Sequence, residues 1–183
     1  MPKVLVPLAD GCEELEAVTV IDLLRRANID VITASLRDAP VRCSRGTVLL
    51  ADKRLDEVMQ EDFDLIVLPG GLPGADHLNA DPRIHQLIRQ TAAAGKYVAA
   101  ICAAPKVLLT NGLMGGRTLT AYPGSLGSMD TSAVTLTNNP LEVDGKIITS
   151  RGPGTAMDFA LQLVETLQGK AVRTQVEAAL QRP

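Results

Sequence analysis

Three cysteines, two histidines and a close run of three glutamates are the side chains best suited to chemistry in this sequence. Cys102 stands out by position. It follows the apolar run Tyr97–Ile101 and precedes Ala103, Ala104 and Pro105, so it sits where a strand hands over to a helix. At such a junction, unpaired backbone N–H groups and the positive helix end favour a thiolate, which makes Cys102 a candidate activated nucleophile. The alternative is an inert buried thiol among alanines, because free cysteine is among the most buried residue types. Cys12 and Cys43 are expected to serve core or interface packing.

Glu13, Glu14 and Glu16 fall in the first turn of a helix, where carboxylates complement the helix dipole on a solvated face. A sharper role needs one of them turned inward. An ionised carboxylate beside a thiolate would raise both pKa values, whereas a protonated one would donate a hydrogen bond to sulfur. Pro69-Gly70-Gly71 leaves backbone N–H groups unobstructed, and Gly71 with Ala103 could present donors to an oxyanion, although a tight turn explains the glycines equally well. Gly152-Pro153-Gly154 lacks the remainder of any dinucleotide or P-loop fingerprint, so a nucleotide site is rejected. His77 and His85 read as exposed helical residues. Tyr122 is either a hydrogen-bonding pocket wall or a packing residue.

The elements that would position these residues alternate. Lys3–Leu8 reads as a strand, Glu13–Ala27 as a helix with Leu15, Val18, Ile21 and Leu24 in helical period, and Asp30–Ser35 as a strand. Arg42-Cys43 and Val48–Ala51 read as short strands around Ser44-Arg45-Gly46, and Leu65–Leu68 as a buried strand. Pro82–Ala94 is helical, Tyr97–Ile101 a central strand, and a helix begins at Pro105. Thr118–Ala121 and Ile147–Ser150 read as strands, Gly154–Leu167 and Lys170–Leu180 as closing helices, and Tyr122–Ala133 as one long loop. The alternation predicts an α/β fold with a mostly parallel central sheet and helices on both faces. Ligand groups then gather at the carboxyl ends of the strands, where Asp10–Glu16, Pro69–Gly74, Ile101–Pro105 and Ser150–Gly154 all arrive.

Composition narrows the function classes. The 183 residues, of which 46% are hydrophobic, suit a single domain over 1–183. Mean hydropathy of +0.14 is too apolar for a disordered chain, and no stretch reaches the length of a membrane span. A net charge of -3 and 2% aromatics with no Trp make nucleic acid an unlikely partner. The amino terminus lacks a signal-peptide pattern, and three cysteines without a C-x-x-C pair suit reduced thiols in a cytoplasmic setting. No cluster shows metal-ligand spacing, so neither metal nor cofactor is expected.

Five ordered motifs give the chain a family resemblance: Ala9-Asp10-Gly11-Cys12-Glu13-Glu14-Leu15-Glu16, Cys43-Ser44-Arg45, Leu68-Pro69-Gly70-Gly71, Ala99-Ala100-Ile101-Cys102-Ala103-Ala104-Pro105, and Thr149-Ser150-Arg151-Gly152-Pro153-Gly154-Thr155. Together they resemble the DJ-1/ThiJ/PfpI superfamily, in its DJ-1-like branch, over nearly the whole chain. The resemblance implies a flavodoxin-like three-layer sandwich forming a homodimer, with Cys102 at a strained elbow and Glu16 as its protonated partner. It further implies oxyanion-binding N–H groups at Gly70, Gly71 and Ala103, and a pocket lined by Arg45, Tyr122 and Arg26 of a second subunit. The implied activity is cofactor-free conversion of 2-oxoaldehydes or their early protein adducts to 2-hydroxy acids. Its rival is a non-enzymatic stress sensor or chaperone in which Cys102 is oxidised to sulfinate. Ala103 stands where peptidase-like branches carry His, which disfavours peptide hydrolysis, and Tyr122 stands where many DJ-1-like members carry His.

Overall fold

A computed structural model describes residues Met1–Pro183. Seven strands form the main sheet: β1 (Lys3–Leu8), β2 (Asp30–Ser35), β5 (Lys53–Arg54), β6 (Leu65–Leu68), β7 (Tyr97–Ile101), β10 (Leu141–Asp144) and β11 (Ile147–Ser150). Their order is β10-β11-β7-β6-β1-β2-β5, parallel throughout except for the β10–β11 hairpin at one edge. The helices are α1 (Glu14–Arg26), α2 (Gly74–Ala80), α3 (Pro82–Ala93), α4 (Pro105–Asn111), α5 (Ala156–Gln168) and α6 (Lys170–Ala179). This is the expected flavodoxin-like arrangement, a sheet between two helical layers.

The layering follows from side-chain alternation along strands buried on both faces. Val4, Val6 and Leu8 of β1, with Val67 of β6 and Ile101 of β7, join α1, α5 and Val176 of α6 in a cluster of 26 buried residues. Leu5, Ile66, Leu68, Val98 and Ala100 face the other way, into a cluster of 21 with α2, α3 and α4. Two small sheets lie apart, an antiparallel hairpin of β3 (Val41–Arg42) and β4 (Val48–Leu49), and a parallel pair of β8 (Thr118–Thr120) and β9 (Thr135–Thr137).

Three departures from the sequence reading carry information. The α1 stripe expected at Leu15 and Val18 points outward, with those residues 50% and 45% exposed, and the buried face is instead Glu16, Ala17, Val20, Leu23 and Leu24. The helix α2 was not anticipated, because it opens on Gly74 directly after Pro73 and so carries turn residues where a helix start signal would be. The edge strand β10 was also missed. Its partner β11 is reached through a tight Asp144-Gly145 turn, with Gly145 at φ 59°, and only that turn marks the hairpin in the sequence.

No helix is long and apolar enough to cross a membrane. From β1 the chain runs outward to β2 on one side, while β6 lies on the other side of β1. The carboxyl ends of β1 and β6 therefore flank a topological switch point, where ligand crevices form in open α/β sheets.

Candidate active site

The loop after β1 (Ala9–Glu13) and the loop after β6 (Pro69–Pro73) meet at this switch point, beside the end of β7. The approach leaves no room for a Cβ at Gly11, Gly70, Gly71 or Gly74. A Cβ on Gly70 would lie 2.5 Å from the Cys102 Cβ and 2.7 Å from Glu16 Oε2. A Cβ on Gly71, which has φ +87°, would collide with the Glu13 backbone nitrogen. The Glu13 N–H donates to the Gly70 carbonyl at 2.9 Å, fixing the start of α1 against the β6 loop.

Cys102 occupies the turn between β7 and α4 with φ 64°, a left-handed conformation that costs a non-glycine residue about 1–2 kcal/mol. The surroundings hold it there. Its N–H donates to the Ser150 carbonyl of β11 at 3.0 Å, and its carbonyl accepts from the Tyr122 N–H at 2.8 Å and the Ser125 hydroxyl at 3.4 Å. The backbone N–H groups of Gly71 and Ala103 lie close enough to the sulfur to favour its charged form.

Glu16 lies on the inner face of α1, fully buried, and reaches the same point from below. Its Oε2 accepts from the Gly70 N–H at 2.8 Å. Its Oε1 is buried with no hydrogen-bond partner, and the carboxyl group lies close enough to the Cys102 side chain to shift its pKa. Burial pushes Glu16 up to about 7, against the lowering effect of the Gly70 N–H and of Cys102. Burial, then the Glu16 charge, pushes the Cys102 thiol up to about 12, against the N–H groups of Gly71 and Ala103. The expectation that unpaired backbone N–H groups and the helix end favour a thiolate meets an opposing effect here, since burial pushes the thiol the other way. Burial keeps a proton on Glu16 into the neutral range, and an ionised Glu16 would oppose ionisation of Cys102. With that proton in place the repulsion disappears and the carboxyl can donate to the sulfur.

Cys102 opens on a cavity of about 460 Å³ whose wall includes Glu13, Ser44, Arg45, Gly71, Ala103 and Tyr122. A larger cleft of about 610 Å³ lies beside Asp10, Arg37, His77 and Arg83, but it contains no thiol, and its carboxylates are ion-paired. Arg45 is exposed, with its Nε 3.8 Å from Glu13 Oε2. The Ser44 hydroxyl donates to Glu13 Oε2 at 2.9 Å. Glu13 and Ser44 were not singled out as wall residues from the sequence, and no spacing signal marks them. Glu16 did carry one: it stands four residues before Val20 and seven before Leu23, a carboxylate on the apolar stripe.

The other candidates fall elsewhere. Arg26 sits at the far end of α1, its Nε 2.7 Å from Asp22, and lines a separate cleft near Asn28 and Gln168. His77 is exposed as expected, with Nδ1 2.8 Å from the Asp10 carbonyl. His85 is half-buried, contrary to expectation, because its ring nitrogens meet the Asn79 carbonyl and the Asn111 amide. Neither lines the Cys102 cavity. Cys12 and Cys43 are buried with their sulfurs 3.6 Å apart. No group of three or more His, Cys, Asp or Glu side chains is arranged to hold a metal ion.

The sequence profile of the DJ-1/PfpI family matches residues 2–166. The chain belongs to this family, in its DJ-1-like branch. It is 41% identical over 181 residues to Protein DJ-1 homolog B of Arabidopsis thaliana, covering 97% of this chain and 41% of that longer protein. To the Caenorhabditis elegans protein named glutathione-independent glyoxalase DJR-1.2 it is 36% identical over 166 residues, 91% of this chain and 88% of that one. The structure of Toxoplasma gondii DJ-1, oxidized, superposes with a TM-score of 0.93 at 41% identity, covering 98% of both chains. The DJ-1-like fold therefore extends across essentially the whole chain.

Proposed function

We propose that this DJ-1-like protein is a cofactor-free enzyme that converts 2-oxoaldehydes such as methylglyoxal, or their early adducts on proteins, to 2-hydroxy acids. The observation that carries the reading is a fully buried Glu16 carboxyl, one oxygen unpartnered, close to the Cys102 side chain that opens on the cavity. Similarity to a relative named as a glyoxalase supports it. In this scheme the Cys102 sulfur adds to the aldehyde carbon, its thiol proton leaving to water as the carbonyl oxygen takes the Glu16 proton, giving a hemithioacetal near the Gly71 and Ala103 N–H groups and an ionised Glu16. The Glu16 carboxylate then removes the hydrogen on that carbon and returns it to the neighbouring ketone carbon, while the hemithioacetal hydroxyl proton passes to the ketone oxygen. One carbon is thereby oxidised to a thioester as the other is reduced to an alcohol. Water hydrolyses the thioester, releasing the 2-hydroxy acid and the free thiol. Proton NMR of methylglyoxal incubations tests this: lactate accumulates with the wild type, and no excess over a Cys102→Ser control would overturn it.

A second reading, a redox sensor or chaperone, draws on the same donors, because Gly71, Ala103 and protonated Glu16 also suit the oxygens of a sulfinate. Similarity to a relative described as oxidized supports it. Intact mass after mild peroxide checks it, with two added oxygens expected on Cys102.

Both readings are proposed for a homodimer, in the cytoplasm where its three free thiols would stay reduced. Support for the dimer comes from the outward Leu15 and Val18 of α1 and from exposed Val48 and Leu50, apolar side chains with little cover within one chain. Arg26 and Leu15 lie at opposite ends of the 13-residue α1. An antiparallel pairing of two such helices would bring Arg26 of one subunit toward the Arg45 side of the other, adding a second cation for anionic products.

A further inference from the structure

The two thiols that the proposed chemistry leaves unused lie 3.6 Å apart, and we infer that Cys12 and Cys43 are a dithiol that closes to a disulfide under hydroperoxide and locks the Ser44–Arg45 wall of the Cys102 cavity. The inference does not depend on the aldehyde reading.

Its geometry is set by the backbone on either side of the sulfurs. The Gly11 N–H donates to the Arg42 carbonyl and the Ser44 N–H to the Cys12 carbonyl, both at 2.8 Å. The Cys43 N–H closes the turn on the Thr47 carbonyl at 2.8 Å, and the Glu14 carboxylate accepts from the Arg45 and Thr47 N–H groups. These contacts hold the two side chains face to face, so a bond requires the sulfurs to approach by only about 1.5 Å. The sequence separation of 31 residues means that the bond would join two elements, the β3–β4 hairpin and the start of α1. Arg45 and Glu13, which line the cavity, flank that joint directly.

Both thiols are closed off while the turn is docked, with Cys12 fully buried and Cys43 4% exposed. Burial first, and the nearby Glu14 charge among the lesser causes, raises both pKa values and keeps the pair protonated and slow at rest. Arg45–Val48 directly follows, exposed in the single chain and beside the partner in the proposed dimer, so lifting this turn away from that contact is the shortest route for an oxidant to Cys43. The Cys43 sulfur then attacks the peroxide, its O–O bond breaks, and water or an alcohol leaves with formation of a sulfenic acid. Cys12 displaces the sulfenic oxygen as a second water, its own proton leaving with it. Two thiols lose two electrons and two protons in all, and one peroxide is reduced.

The experiment is a hydroperoxide titration of the wild type and of Cys102→Ser, followed by alkylation under denaturing conditions and a non-reducing peptide map. The expected product is a peptide pair joined through Cys12 and Cys43, two hydrogens lighter, formed in both proteins and reversed by a phosphine. Retention of two alkylatable thiols at these positions, or sulfinic acid on Cys43 without a linked peptide, would overturn the inference. Trypsin cleavage of the native protein after Arg45 reads the lock. Oxidation should slow it by roughly tenfold relative to the phosphine-treated sample, because cleavage needs the turn to open. A linked pair cleaved at an unchanged rate would overturn the locking role. The trypsin comparison uses the wild-type chain in two redox states, so it does not rely on the folding of a variant.

Discussion

Cys102 and the Cys12–Cys43 pair share one buried cluster, yet their surroundings assign them different chemistry. The Cys102 sulfur lies close to two backbone N–H groups and to a carboxyl group, and opens on a cavity. Cys12 and Cys43 face each other under a hairpin. The same contrast separates two glutamates in the first turn of α1. Burial would raise Glu14, but the N–H groups of Glu14 itself, Arg45 and Thr47 outweigh it and hold the carboxyl below its ordinary range. Glu16, two residues on, is turned inward and raised to about 7. Residue type nominates a group for chemistry, but what is aimed at it decides which chemistry.

The strongest way to break the contrast between thiols is substitution. Cys102→Ser should lower lactate formation from methylglyoxal by about a thousandfold or more, whereas Cys12→Ala should stay within about twofold. Comparable losses from both would remove the distinction. The glutamates come next: Glu16→Gln should cost about a hundredfold, the scale of a lost general acid–base group, and Glu14→Gln less than about threefold. Initial rates by NMR suffice for both comparisons.

Stability sharpens the contrast further. The folded pKa of Glu16 lies above its ordinary 4.5, so the folded state binds more protons between about 4.5 and 7. The stability that Glu16 contributes is therefore fully present below about 4.5 and declines as pH rises through about 7, by about 3 kcal/mol across that span. Urea unfolding of wild type and Glu16→Gln at both ends should show this loss in the wild type and not in the variant. Parallel pH profiles would contradict the assignment.

The sequence made the central architecture readable wherever strands are buried on both faces. Leu65–Leu68 and Tyr97–Ile101 are continuous apolar runs, and their lengths fit strands rather than helices. It was less informative where local signals point one way and tertiary packing another. Leu15 and Val18 look like a core stripe but face outward, and Gly74 looks like a turn but opens a helix. Cys102 was legible from its position at a strand end, whereas Glu16 was reached only through the family motif, because the periodicity set Leu15 and Val18 on the inner face in its place. The proximity of Cys12 and Cys43 was not, because it arises from the docking of a hairpin 31 residues away in the chain. The burial that opposes ionisation of Cys102 was not readable for a similar reason, because distant elements supply it.

The most direct test of the account is the protonation state of Glu16, read from its carboxyl signal by carbon-13 NMR across a pH titration. The account predicts a protonated carboxyl at about pH 5.5, ionising near 7. A carboxylate already ionised at about pH 5 would contradict it, because no acidic hydrogen would then face the Cys102 sulfur.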